Sequence, residues 1–411
     1  MNPTVVYWNN IPSPYVVERF NTLHARGNLR FEAWFNQRRE PDRSWDVREA
    51  DWQFPARYIP ARTLLGRSLQ LPLAELLDRR PDLLVSLYAS ASFAGGIAGA
   101  RALGARTAIR VLPTFDTWVR RSRAKEFSKR LLFRAVDGAK VPGPDGEAVA
   151  RRYGIPAGRI VRVTQSVDLA RYATARDLPA HVREAERRRL GLIGCTFIYV
   201  GRLWRAKGLD YLFDAFARVR TQIPQTTLLV VGDGVDEPAY RERASHVDGI
   251  VFTGFVQPAE IARLYGLADV SVFPTLGDPH GLVIEEAMAA GLPVISSDAA
   301  GDVRRRLPDG QAGYVVPAAD AITLATRMLT LASDTERRRS MSAEAARLVI
   351  GRGHDAWASD FETFVDRILA LPRRRTAQAL AAGALGRLLL AAARDTAPAP
   401  KVAALDGGVS S

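Results

Sequence analysis

Two successive runs of short apolar strands alternating with helical patterns constrain this 411-residue chain more than any other feature. In the first run, residues 4–8, 30–35, 83–87, 107–111 and 139–142 read as strands. Residues 15–24, 93–103, 118–136 and 145–153 between them carry helical periodicity. In the second run the strands are 196–200, 227–231, 250–253, 269–273 and 293–296. The helices there are 208–220, 237–244, 258–267, 282–290 and 319–331. Strand and helix in strict alternation give parallel sheets covered on both faces, the doubly wound α/β class. The chain exceeds what a single core supports, so two such domains are expected. We expect a first domain over 1–170, a polar linker over 171–190 and a second domain over 191–352. A helix at 353–371 is expected to pack back toward the first domain, followed by an Ala/Arg-rich, partly mobile tail over 372–411.

Composition narrows the class further. A hydrophobic content of 47% and a charged content of 25% describe a globular chain. Cys195 is the single cysteine, which leaves no internal disulfide and points to a reducing, cytoplasmic setting. The opening Met1-Asn-Pro-Thr-Val-Val-Tyr has no basic segment followed by an apolar run, so no secretory signal is read there. Nor does any stretch reach the length of an apolar membrane span. The formal charge of +13 invites an acidic partner, but lysine stands at five positions only and arginine supplies the rest. With abundant alanine, that pattern is partly one of compositional bias. No zinc-finger spacing or RNA-binding aromatic motif is present, so nucleic acid is not an expected partner.

Four motifs in the second half carry chemistry. Val200-Gly-Arg-Leu-Trp-Arg-Ala-Lys-Gly208 follows a strand, and Gly201 lets the chain turn sharply. Arg202 and Lys207 then set two cations at the edge of the sheet where ligands bind in open α/β folds. Val231-Gly-Asp-Gly-Val-Asp236 puts Gly232 and Gly234 in a tight turn. It fails the dinucleotide fingerprint, because the third small residue and the acid about 20 residues on are missing. Phe252-Thr-Gly-Phe-Val256 offers Gly254 and Phe255 for close approach of a flat base. The fourth motif runs Asp278-Pro-His-Gly-Leu-Val-Ile-Glu-Glu-Ala-Met-Ala-Ala-Gly291 into a strand. It flanks a helix start, where backbone N–H groups can hold an anion, with two acids able to accept hydroxyls.

In their order and spacing these four resemble the second domain of the family-four retaining glycosyltransferases. The likeness extends, more loosely, to Asn9-Asn-Ile-Pro-Ser-Pro-Tyr15 and Phe20-Asn-Thr-Leu23, as in a bacterial surface-polysaccharide subgroup. The resemblance implies the GT-B fold, two facing Rossmann-like domains with a cleft between them. It also implies transfer of a hexose-type sugar from a nucleotide diphosphate sugar to a saccharide or lipid-linked acceptor. By that resemblance Arg202 and Lys207 hold the donor diphosphate, Glu286 the ribose hydroxyls and Asp278 the sugar. Backbone amides of Gly281, Leu282 and Val283 meet sugar and phosphate. Gly201, Gly232, Gly254, Phe255 and His280 complete the expected donor site, with Arg202, Lys207, Asp278 and Glu286 as the catalytic set. Asp278 stands where the family usually has Glu, and His280 where an aromatic is commoner. No cofactor and no metal are expected, and UDP, GDP and dTDP are not distinguished.

Acceptor contacts are expected on the first domain from Ser13, Tyr15 and Asp116; a helix N-cap is the competing role for Asp116. Residues 118–136 form a basic pattern in which Ala124, Phe127, Leu131 and Ala135 share a stripe. It reads equally as a helix on an anionic membrane surface and as an ordinary packed helix; the C-terminal tail is a second candidate for that surface. His24, His181, His246 and His354 read as structural or surface residues. Two rivals remain: a binding or scaffold protein that kept the fold and lost transfer, and, less favoured, a nucleotide-dependent dehydrogenase or epimerase.

Overall fold

The computed structural model describes residues 2–40, 45–64, 67–88, 90–112 and 122–394. The first sheet is built from β1 (Thr4–Asn9), β2 (Arg30–Phe35), β3 (Ala56–Tyr58), β6 (Leu83–Ser86), β7 (Arg106–Arg110), β8 (Gly138–Val141) and β9 (Ile160–Arg162). All its pairings are parallel, in the order β3-β2-β1-β6-β7-β8-β9. A separate antiparallel hairpin joins β4 (Ala61–Leu64) to β5 (Arg67–Gln70). The second sheet has the order β12-β11-β10-β13-β14-β15, again all parallel. Its strands are β10 (Cys195–Val200), β11 (Thr226–Val231), β12 (Ile250–Gly254), β13 (Val270–Phe273), β14 (Val294–Ser297) and β15 (Gly313–Val316).

The strands are apolar on both faces because each face has its own core. Val5 and Tyr7 of β1 enter one cluster with Phe20, Phe31 and Trp357, whereas Val6 and Trp8 enter another with Trp34 and Phe93. The second sheet repeats the rule: Phe197 and Tyr199 of β10 face one way, Ile198 and Val200 the other. Side chains on a strand alternate with period two, so a continuous apolar run is the signature of a strand covered on both sides.

The helix His354–Ala370 leaves the second domain and completes the core of the first. Its Trp357, Phe361, Phe364, Val365 and Ile368 are buried against β1 and the helix Pro14–Ala25. Beyond it, the helix Ala377–Arg394 lies along the helix Ala91–Ala102. Gly386 backs onto the Ala98 carbonyl there, an approach that a Cβ would block. The segment expected as a plain linker holds two helices, Leu169–Ala173 and Ala180–Arg189. The unexpected strands β3 and β9 have three residues each, too few to show periodicity.

In both sheets the strand order reverses beside a central strand, between β1 and β6 and between β10 and β13. Ligands bind outside the carboxyl ends of strands at such points. The loops that follow β1, β10 and β13 meet there.

Candidate functional site

A cavity of about 500 Å³ opens at the carboxyl edge of the second sheet. Gly201, Arg202, Lys207, Gly232, Phe255, Asp278, His280, Gly281, Leu282 and Val283 line it, with Tyr15, Trp45 and Gln165 from the first domain. Three of the four motifs thus share one cavity with the second residue of Phe252-Thr-Gly-Phe that was singled out. Gly254 stands one strand back, where its carbonyl accepts the Gly232 N–H at 2.9 Å.

Lys207 reaches this wall because a single 3-10 turn, Arg205–Lys207, ends at Gly208 with φ +72°. Its Nζ donates to Asp278 Oδ2, and the Phe273 ring lies 5.5 Å from the ammonium. Asp278 Oδ1 meanwhile accepts the His280 N–H at 2.8 Å. Burial alone would raise the Asp278 pKa, but the Lys207 charge and hydrogen bond, with the backbone N–H groups of His280 and Gly281, hold it below the usual carboxylate range. Asp278 is therefore an ionised acceptor already bound to a cation. Arg202 stacks its guanidinium over Trp204, 5.0 Å from the ring.

Glu286 sits elsewhere than at this wall. Its carboxylate is fully buried, accepting from Tyr15 Oη at 2.9 Å and Tyr265 Oη at 3.1 Å. Burial pushes its pKa up to about 7, against the hydrogen bonds of Tyr15 and Tyr265, which lower it. Tyr15, from the first domain, stands between this carboxylate and the cleft. The Tyr15 hydroxyl thus occupies Glu286 Oε1 and the Tyr265 hydroxyl Oε2.

His280 is buried, and both ring nitrogens lack hydrogen-bond partners. Burial, then the charges of Arg306, Arg19 and Arg352, keep its pKa well below the ordinary value. The ring is neutral, so its 3.7 Å approach to Glu285 is not an ion pair. What fixes the loop is a clamp that the sequence did not reveal. Arg306 Nη1 grips both oxygens of Glu285 at 2.6 and 2.7 Å, while its Nη2 binds the carbonyls of His280 and Gly301. Three consecutive arginines, Arg304–Arg306, gave no sign of which one turns inward.

A second cavity, about 640 Å³, lies on the first-domain side and takes in Ser13 and Tyr15 with Asn9, Asn10, Asn36, Gln70, Arg19 and Arg110. Asp116 lies outside the described residues. So does the start of the basic pattern at 118–136, of which the helix Arg123–Ala135 is described. Its expected single stripe is split: Ala135 and Phe133 are buried, whereas Phe127 is 63% and Leu131 41% exposed. Of the expected stripe only Ala135 is buried, and Phe133, outside it, is the other buried side chain of this helix. Among the described residues no helix is long and apolar enough to cross a membrane, and no cluster of three His, Cys, Asp or Glu could hold a metal ion.

Comparison with known proteins agrees with this architecture. Residues 194–334 match the family model of glycosyl transferases group 1. A phosphatidyl-myo-inositol mannosyltransferase of Mycolicibacterium smegmatis is 34% identical over 206 residues, 49% of this chain and 50% of that protein. A D-inositol 3-phosphate glycosyltransferase of Jonesia denitrificans is 32% identical over 207 residues, 47% of this chain and 48% of that protein. The chain thus spans about half the length of the curated relatives it matches. In fold, Anabaena Alr3699/HepE in complex with UDP superimposes with a TM-score of 0.71 at 17% identity, over 89% of this chain and all of that one. The two parallel-sheet α/β domains thus have the GT-B fold, and the second matches the glycosyl transferases group 1 model over residues 194–334.

Proposed function

We propose that the protein transfers a hexose-type sugar, with retention, from a nucleotide diphosphate sugar to a saccharide or lipid-linked acceptor in glycolipid or surface-polysaccharide synthesis. The observation that carries this reading is the Lys207–Asp278 pair on the wall of the 500 Å³ cavity, with Arg202 beside it. A cation on this wall supports the reading, because charge develops on a departing diphosphate and a fixed cation stabilises it. Asp278, held ionised by that cation, accepts from the sugar and is a poor nucleophile. Same-face transfer assisted by the leaving phosphate suits such a site, and it calls for neither a side-chain nucleophile nor a metal. Neutral His280, with both nitrogens unsatisfied, adds a donor or an acceptor for a sugar hydroxyl.

A panel of UDP-, GDP- and dTDP-sugars, assayed for nucleotide release, tests this. Turnover of one donor, lost at least a hundredfold in Arg202→Ala and in Lys207→Ala, is the expected result. Turnover equal to wild type in both variants sinks it. Donor binding without release would favour a fold-retaining binding protein instead.

We further propose peripheral attachment to anionic membrane through the helix Arg123–Ala135. Phe127 and Leu131 stand out from it among Arg123, Lys125, Arg130 and Arg134. Co-sedimentation with phosphatidylglycerol vesicles that survives Phe127→Glu/Leu131→Glu unchanged would refute this.

A further inference from the structure

A group of cations lies apart from the Lys207–Asp278 pair, on the first-domain side of the cleft. Arg110 ends β7, and Lys140 is its register partner on β8, so the two project from one face of the sheet. Arg19 comes to the same place from the helix Pro14–Ala25. Its guanidinium lies 5.8 Å from the Trp357 ring, and Lys140 Nζ lies 5.3 Å from that same ring. Neighbouring like charges repel, and burying each costs several kcal/mol unless an anion answers it.

Among the described residues no carboxylate comes within ion-pair distance of these three. Arg19 satisfies part of its fork on the Tyr15 carbonyl at 2.8 Å and on Gln165. Arg110 Nε is buried and has no partner. The cost shows in the titration of the group. Burial, then the Arg110 charge, bring Arg19 down to about 10. Burial, then Arg110 and Arg19, push Lys140 well below its ordinary value, and the more distant Asp360 only partly offsets them.

Arg19 and Arg110 line the 640 Å³ cavity, and Lys140 lies beside Arg110 on the next strand. Asn9, Asn10, Asn36 and Gln70 share its wall, as does Glu40, which accepts from Asn10 at 2.7 Å. Primary amides both donate and accept, which suits hydroxyls, whereas a guanidinium fork matches the oxygens of a phosphate.

Resting on the transfer reaction proposed above, we propose that this cavity takes a phosphate-bearing acceptor, its oxyanion gripped by Arg19 and Arg110 beside Lys140 and its hydroxyls by the amides. The buried Arg19 and Lys140 and the half-buried Arg110 are then the cationic half of an ion-paired site. The phosphate ester could belong to a soluble sugar phosphate or to a lipid headgroup.

Thermal unfolding of the full chain tests the site, with UDP present to occupy the donor cavity. Glycerol 3-phosphate should raise the midpoint at concentrations where glycerol leaves it unchanged. Arg110→Gln should weaken that response at least fivefold, while the shift given by UDP alone persists. Lys140→Met removes a buried charge without opening a cavity, and it should weaken the response with the fold intact, whatever Arg110→Gln does to folding. If phosphatidylglycerol vesicles bind in an Arg110-dependent manner and glycerol 3-phosphate does not, the oxyanion belongs to a lipid. A glycerol 3-phosphate response unchanged in both variants, or no response to either probe, overturns the proposal. Loss of the UDP shift alone would count against the donor reading and leave this site standing.

Discussion

Tyr15 Oη and Glu286 Oε1 lie 2.9 Å apart and join the first domain to the buried carboxylate of the second. Burial raises the Glu286 pKa to about 7, so the folded chain holds a proton there that the unfolded chain, near 4.5, gives up earlier. The native state binds more protons between those values, and its stability falls as pH rises from about 4.5 to 7, then levels. The span corresponds to a loss on the order of 3 kcal/mol. Glu286→Gln cannot ionise. Its urea midpoint, compared with wild type from pH 5 to 8, should lack that decline; parallel curves would refute the assignment.

Asp145 and Asp302 cap each other across the seam. Asp302 Oδ1 accepts the Asp145 N–H at 2.9 Å, and Asp145 Oδ2 accepts the Asp302 N–H at 2.8 Å. Asp302 does this with φ +53°, a conformation Ala takes only at a cost. Asp302→Ala should lose about 1–2 kcal/mol, from cap and backbone together. Asp302→Gly removes the cap alone and should lose less. A double-mutant cycle with Asp145→Ala should return a coupling of at least about 0.5 kcal/mol. Additive losses would show that the two caps are independent.

Lys207 and Asp278 make opposite predictions for donor binding. Lys207→Ala leaves the buried Asp278 carboxylate without its cation, so it should cost nucleotide affinity and stability together. Asp278→Asn keeps the shape and removes the competing anion, leaving the Lys207 charge to the diphosphate. Titration calorimetry with UDP should show weaker binding in the first and binding at least as tight as wild type in the second. Equal weakening in both would mean that the Lys207–Asp278 pair acts as a unit and that Asp278 does not compete with the diphosphate.

Gly281 takes φ +73°, and a Cβ built there would sit 2.5 Å from the Phe273 ring. Gly281→Ala meets both a left-handed backbone penalty and overpacking, together about 2–4 kcal/mol. Because the same turn presents Asp278 and His280, nucleotide binding should fall along with the thermal midpoint. Gly310, with φ +79° and open space around its Cβ, is the control. Gly310→Ala should show the backbone penalty alone and leave nucleotide binding unchanged.

Two parallel sheets were legible because buried strands such as 196–200 and 227–231 are apolar along their whole length. Motif order likewise brought Lys207, Asp278 and Gly281 to one cavity wall. What escaped was decided by partners distant in sequence. Glu286 is 271 positions from Tyr15, and no local pattern says that a tyrosine of the first domain will cover it. Glu285 carries no local signal of its role, which comes from Arg306, 21 positions on, beyond the bend at Asp302. For the helix Arg123–Ala135 the sequence left two readings open, because Leu131, Leu132 and Phe133 are all apolar and only the packing shows that Phe133 is buried while Leu131 is not.

The helix His354–Ala370 also has a consequence for synthesis. The first domain is translated first but cannot close its core, because Trp357, Phe361 and Ile368 follow the whole second domain in the chain. The second domain, whose strands all precede residue 317, can be complete while Tyr7, Phe20 and Phe31 still lack a cover. Chain order and folding order are therefore reversed, and a chain cut short before residue 354 would carry a finished second domain beside an open, sticky first one.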